Sequence, residues 1–170
     1  MSTYKKIAST ITNSNTGAVT FSSIPSTYRD LLVRVLSRSA ADAMTETLWY
    51  QNNGDTSSNY VTKRTVLSGN TSTLSADNAL GAQWYANSLA NSSSQQGNSF
   101  AAWDIYISEY ANTNFQRSGL GLSVMNVNNS SSTSEFNGYL FRSTSATSSI
   151  TIKFNGPNFV GGSSFYLYGI

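Results

Sequence analysis

The amino-acid sequence predicts an all-β protein, an antiparallel two-sheet β-sandwich of jelly-roll-like design. Three observations carry that expectation. Short segments alternate apolar and polar residues with period two, clusters of Gly, Asn, Ser and Pro punctuate them, and the 3.6-residue spacing of amphipathic helices is nearly absent. The 10 Tyr, 8 Phe and 3 Trp, interleaved with Val, Ile and Leu, supply apolar area for a core despite 31 Ser, 18 Thr and 18 Asn. A chain of 170 residues is long enough to bury such a core without staples, and residues 1–170 are expected to form a single β-sandwich domain.

The candidate strands follow in order. Residues 4–11, 18–24 and 30–38 come first. Ile24-Pro25 closes the second of these, because proline lacks an N–H and holds its predecessor extended, and Ser26-Thr27 completes the bend before Leu31. Residues 46–51 and 60–67 flank Asn53-Gly54, a pair suited to positive φ in a connection too long for a two-residue hairpin. Residues 79–86, 100–107, 119–127, 136–142, 149–154 and 163–170 complete a set of eleven, one or two more than the fold is expected to need. Within 100–107, Trp103, Ile105 and Ile107 share one face and Asp104 and Tyr106 the other, which assigns Trp103 to the core. Gly161-Gly162 turns into the last strand, where Phe165 and Leu167 face one way and Tyr166, Tyr168 and Ile170 the other. The polar stretches 87–99 and 126–134 read as exposed loops.

Composition narrows function. The chain has no His and no Cys, which removes the commonest general base, the strongest neutral-pH nucleophile and the usual transition-metal ligands together. Lys and Arg number 10 against 8 Asp and Glu, scattered apart from Lys5/Lys6 and Lys63/Arg64, so no nucleic-acid patch is implied. The N-terminal Met1-Ser2-Thr3-Tyr4-Lys5-Lys6 leads into an alternating segment and not into an apolar signal region, and no window approaches a membrane span. The product is therefore expected to stay in the compartment where it is made, and the N-x-S/T matches at Asn70, Asn91, Asn128 and Asn129 carry little meaning.

Three arrangements could carry chemistry. The acid pairs Asp42/Glu46 and Asp104/Glu109 would suit a glycosidase only if two carboxyl groups faced each other across a cleft, and loose carboxylates rarely do. Residues 52–59 offer oxygen ligands for Ca²⁺, but Asp55 is their single carboxylate and a plain turn is the stronger reading. The aromatic residues could build a carbohydrate platform, although most rings of a small sandwich serve its core or its subunit contacts. Neither cofactor nor metal is expected.

Several segments carry a more specific signal: Thr3-Tyr4-Lys5-Lys6-Ile7-Ala8-Ser9, the run from Val19 through Ile24-Pro25-Ser26-Thr27-Tyr28-Arg29-Asp30 to Leu31, Asn53-Gly54-Asp55-Thr56-Ser57-Ser58-Asn59-Tyr60, Arg142-Ser143-Thr144-Ser145-Ala146 with Ser149-Ile150-Thr151-Ile152, and Gly162-Ser163-Ser164-Phe165-Tyr166-Leu167-Tyr168-Gly169-Ile170. In this order they resemble a family of tailed-bacteriophage virion proteins common in cyanophages and other aquatic phages. The resemblance spans nearly the whole chain and is weakest over residues 71–99. It implies a non-enzymatic particle component located in the virion after synthesis in the host cytoplasm. The expected role is a capsid decoration (cement) protein that binds the major capsid protein on the capsid surface and associates with itself as a homotrimer, with no nucleic-acid or membrane partner. The rival expectation is a tail- or head-fibre adhesin that binds host glycan. Tyr4, Lys5 and Lys6 are the candidate intersubunit contact, with the alternative that Tyr4 belongs to the first strand of its own sheet while the lysines protect an edge.

Overall fold

The computed structural model describes residues 3–41, 46–68, 71–75, 81–86, 99–127 and 131–170. Among them are twelve strands: β1 (Lys5–Ile11), β2 (Ala18–Phe21), β3 (Leu31–Ser37), β4 (Leu48–Asn52), β5 (Tyr60–Ser68), β6 (Thr71–Ser75), β7 (Trp84–Ala86), β8 (Ala101–Ile107), β9 (Arg117–Val127), β10 (Ser131–Phe141), β11 (Ile150–Phe154) and β12 (Ser164–Gly169). All pairings between them are antiparallel. One sheet runs β1-β12-β3-β8-β9-β10-β5-β6 and the other β2-β11-β4-β7.

This order is a jelly roll with two insertions. Without β5, β6, β9 and β10, the remaining strands form two four-stranded sheets, β1-β12-β3-β8 and β2-β11-β4-β7, in which successive strands alternate between sheets as the chain winds, except that β4 and β7 pair within the second sheet. The inserted hairpins β5–β6 and β9–β10 pair with each other through β10 and β5, and β9 pairs with β8. Together they lengthen one sheet well beyond its partner. The two sheets enclose one apolar core that includes Val33, Val35, Leu48, Tyr50, Trp103, Ile105, Ile150, Ile152, Phe159 and Phe165.

Trp84 of the short β7 ties the insertions to this core. Its indole stacks on Tyr50 at 4.9 Å and on Tyr139 at 5.0 Å, and its Nε1 donates to the carbonyl of Leu140 at 3.0 Å. The fully buried indole thus keeps its polar atom bonded. Arg117 is also fully buried, with its guanidinium donating to the carbonyls of Tyr110, Asn112, Ser143 and Thr144. It fastens the β8–β9 connection to the segment that follows β10.

The expected strands largely form, with three corrections. All eleven candidate strands are represented, where one or two were expected to be superfluous, and the segment Thr71–Ser75 adds a twelfth, β6, to the edge of the long sheet. The stretch 126–134 is not a loop throughout: β9 runs to Val127, β10 starts at Ser131, and Thr133 is buried. In both places the strand pairs through its backbone ladder, which a segment rich in Ser and Thr supports. The expected strand 79–86 is confined to Trp84–Ala86 among the described residues, with Gly81 making an isolated bridge to Tyr60. The expected loop 87–99 lies outside the described residues except for Ser99.

Candidate functional site

The inserted strands have their polarity reversed. On the core side β9 presents Gly119, Gly121, Ser123 and Met125, whereas Leu120, Leu122 and Val124 face solvent at 66%, 44% and 45% exposure. Neighbouring β10 buries Glu135 and Asn137 while Phe136 stands 54% exposed. Glycine is required inside because aromatic rings and backbone already occupy that space: a Cβ at Gly121 would meet the Tyr139 ring at 2.6 Å, and one at Gly119 the carbonyl of Tyr106 at 2.7 Å. Beneath the outer leucines the inner face carries polar side chains beside the buried Met125, Tyr139 and Phe141, with Glu135 placed 3.6 Å from Arg64 and Thr62 and Ser123 buried nearby. Apolar side chains out and polar side chains in is the reverse of what folding alone selects.

Register arranges the outer face in rows, since directly paired residues of antiparallel strands point to the same side. One row runs Lys6, Tyr168, Leu32, Tyr106, Leu120, Gly138, Lys63 from β1 to β5. The next runs Ser9, Tyr166, Arg34, Asp104, Leu122, Phe136, Thr65, and a third runs Ile11, Ser164, Leu36, Ala102, Val124, Ser134, Leu67. A groove of about 710 Å³ crosses the first two rows, walled by Leu32 and Tyr106 on the jelly-roll side and by Leu120, Leu122, Phe136 and Lys63 on the insertions. Gly138 forms a notch in it: a Cβ there would have one neighbour within 4 Å, the Cβ of Lys63 at 4.0 Å.

Charge on this face is sparse. Arg34 donates twice to Asp104, Nε to Oδ1 at 2.8 Å and Nη2 to Oδ2 at 2.6 Å, and the hydrogen bond with this carboxylate raises the arginine's pKa. The two charges cancel at the middle of the face. Lys6 and Lys63 remain at its flanks, six strand spacings or about 29 Å apart. Tyr106 lies at the groove's inner end, where its hydroxyl donates to buried Asp30 at 2.6 Å. Burial first, and then that bond, push its pKa up to about 12.

The residues singled out by sequence fall in several places. Tyr4 precedes β1, is 60% exposed and meets the edge of the Tyr168 ring at 6.4 Å, while Tyr166 stacks on Tyr168 at 6.4 Å. Lys5 and Lys6 pair with Gly169 and Tyr168, so they begin the outermost strand of the long sheet. Asp104 and Glu109 are each held by a different arginine, Asp104 by Arg34 and Glu109 by Arg29 at 3.2 Å. Asp42 lies outside the described residues; Glu46 has its pKa raised by burial. Asp55 closes a turn by accepting from the Ser57 N–H at 2.7 Å and the Asn59 amide at 2.9 Å. Burial acts upward on its pKa, but these bonds hold the carboxyl below its ordinary value. Trp103 and Phe165 are core, at 1% and 0% exposure.

Sequence reasoning did not find the groove. Its signal was present in Gly119-Leu120-Gly121-Leu122-Ser123-Val124, an alternation of very small with large residues, but the direction of the large ones depends on rings from other strands. No family model matches the chain, and neither curated proteins nor solved structures gave a match to it.

Proposed function

We propose that this chain is a non-enzymatic virion structural protein of a tailed bacteriophage, a decoration (cement) protein that binds the outer surface of the major capsid lattice as a homotrimer and stabilises the head. The resemblance of its sequence to phage virion proteins supplies the particle. The reversed polarity of β9 and β10 is the observation that supports attachment to protein, because contiguous exposed Leu, Val and Phe side chains mark interaction surfaces. At about 25 cal/mol per Å² of apolar surface removed from water, several hundred Å² at each site, repeated over a lattice, resists internal pressure. The test is to add the purified protein to heads that lack it, taken from the phage that encodes it, and to follow genome release on heating. Saturable binding with a raised release temperature is the expected result; absence of binding refutes the reading.

A second reading, a fibre adhesin for host glycan, is favoured by the ladder of Tyr4, Tyr168 and Tyr166 at the β1 side of the outer face, since sugars stack on exposed rings. Glycan binding abolished by Tyr168→Ala, with no affinity for heads, would select it.

A further inference from the structure

We propose that the notch over Gly138 is the anchoring point of this surface, and that it takes an apolar side chain projecting from a partner protein whose contact region carries carboxylates. On the reading above, on which this inference rests, that partner is the major capsid protein. Gly138 sits mid-strand between Leu120 on β9 and Lys63 on β5, both of which project to the same side. The missing side chain leaves a depression walled by Leu120, Leu122 and Phe136. A pocket of this kind, ringed by apolar groups that exclude water, is where interface energy concentrates.

Charge selects the occupant. Arg34 and Asp104 satisfy each other, and the other charged side chains in the three outward-facing rows are Lys6 and Lys63 at opposite flanks. A second copy packed on this face about a two-fold axis would bring the lysine-bearing flanks together, and like charges at an interface oppose association. An acidic surface meets both lysines favourably. A free sugar is a poorer fit, because Leu120, Leu122 and Phe136 present apolar walls to the notch and the Arg34–Asp104 pair beside it is already engaged.

The experiment compares the full chain with Gly138→Leu, Gly138→Ala and Lys63→Glu in pelleting assays on heads lacking the protein, with Tm measured for each. The space above Gly138 is open and its φ is not positive, so both glycine variants are expected to fold with unchanged Tm. Gly138→Leu should weaken binding at least about tenfold, Gly138→Ala less, and Lys63→Glu should weaken it most at low salt. If the parent chain binds heads and Gly138→Leu or Gly138→Ala, folded, binds equally well, the notch is not the anchor and the decoration reading survives without it. If the parent chain does not bind heads, that reading falls and this inference with it. Self-association of the parent chain lost in Gly138→Leu would make the occupant a second copy and overturn the choice of partner.

Discussion

The ring of Tyr139 on β10 occupies the space where Gly121, on the neighbouring β9 and diagonally across from it, would otherwise carry a side chain. An added Cβ would lie 2.6 Å from Cε2 and 2.7 Å from the hydroxyl oxygen, and the ring cannot retreat because Trp84 stacks against it at 5.0 Å. Gly121→Ala should therefore destabilise by about 2–3 kcal/mol through overpacking, seen as a lower denaturant midpoint. Gly138→Ala, one strand over and on the outer side, should change stability by less than about 0.5 kcal/mol. Equal effects of the two substitutions would show that the inner and outer faces have been assigned wrongly.

Trp103 and Phe165 are the large side chains whose loss the core can least absorb. Both are essentially inaccessible, on β8 and β12, which flank β3. Replacing either with alanine removes its transfer energy and leaves a cavity, for about 3–5 kcal/mol. Urea unfolding of each variant checks this; a variant with unchanged stability that loses only partner binding would contradict the buried placement.

Arg117 makes a different kind of core contribution. Its guanidinium donates to four carbonyls, those of Tyr110, Asn112, Ser143 and Thr144, and burial lowers its pKa. Arg117→Met would remove the donor that Asn112, Ser143 and Thr144 share, while the Tyr110 carbonyl keeps the Thr147 N–H at 2.9 Å, at a cost of about 3 kcal/mol. Arg117→Lys should restore little of it, because an ammonium is a point charge and cannot span four separated acceptors as a planar fork does. Chemical denaturation of both variants measures the difference.

Legibility from sequence followed the origin of each element's stability. The strands of the jelly roll itself, such as Ala101–Ile107 with its alternating buried Trp103, Ile105 and Ile107, bury one face and so display period two in their residues. Thr71–Ser75 and the start of β10 at Ser131 are rich in Ser and Thr and join the sheet by backbone pairing with β5 and β9, and polar composition alone reads as loop. The groove was hidden for another reason. Lys63, Gly138, Leu120, Tyr106 and Leu32 become neighbours only through the register of five strands, which none of those segments encodes by itself. Arg117, isolated in a polar stretch, likewise gave no sign that it would be fully buried.

Alkaline pH should weaken the fold. The hydroxyl pKa of Tyr106 is raised to about 12 from 10, and burial first of all also raises those of Tyr50, Tyr60, Tyr110 and Tyr139. The folded state therefore holds these protons more tightly than the unfolded chain does. Their contribution is complete below pH 10 and declines as pH rises from 10 through the folded values, because only the unfolded chain ionises readily there. Unfolding free energy measured from pH 8 to about 12 should fall above about 10, with phenolate absorbance appearing as the protein unfolds. Tyr106→Phe should make that fall shallower, and an unchanged slope would exclude Tyr106 as a contributor.

Removing residues 2–6 separates the two roles open to the N-terminal segment. Lys5 and Lys6 supply the first two pairs of β1 with β12, but Ala8, Ser9, Thr10 and Ile11 keep theirs with Leu167, Tyr166, Phe165 and Ser164 beyond a bulge. Tyr4 adds an edge contact to Tyr168 from a position 60% exposed. The truncated chain should therefore fold, with a loss of about 1–2 kcal/mol from two ladder pairs and one ring contact. Loss of Lys6 removes one of the two flanking charges, so head binding should weaken at low salt and approach that of the parent chain as salt rises. An unfolded product would make the segment an indispensable strand. A folded product that decorates fully at low salt would dismiss it as a contact arm and leave attachment to Lys63 and the apolar notch.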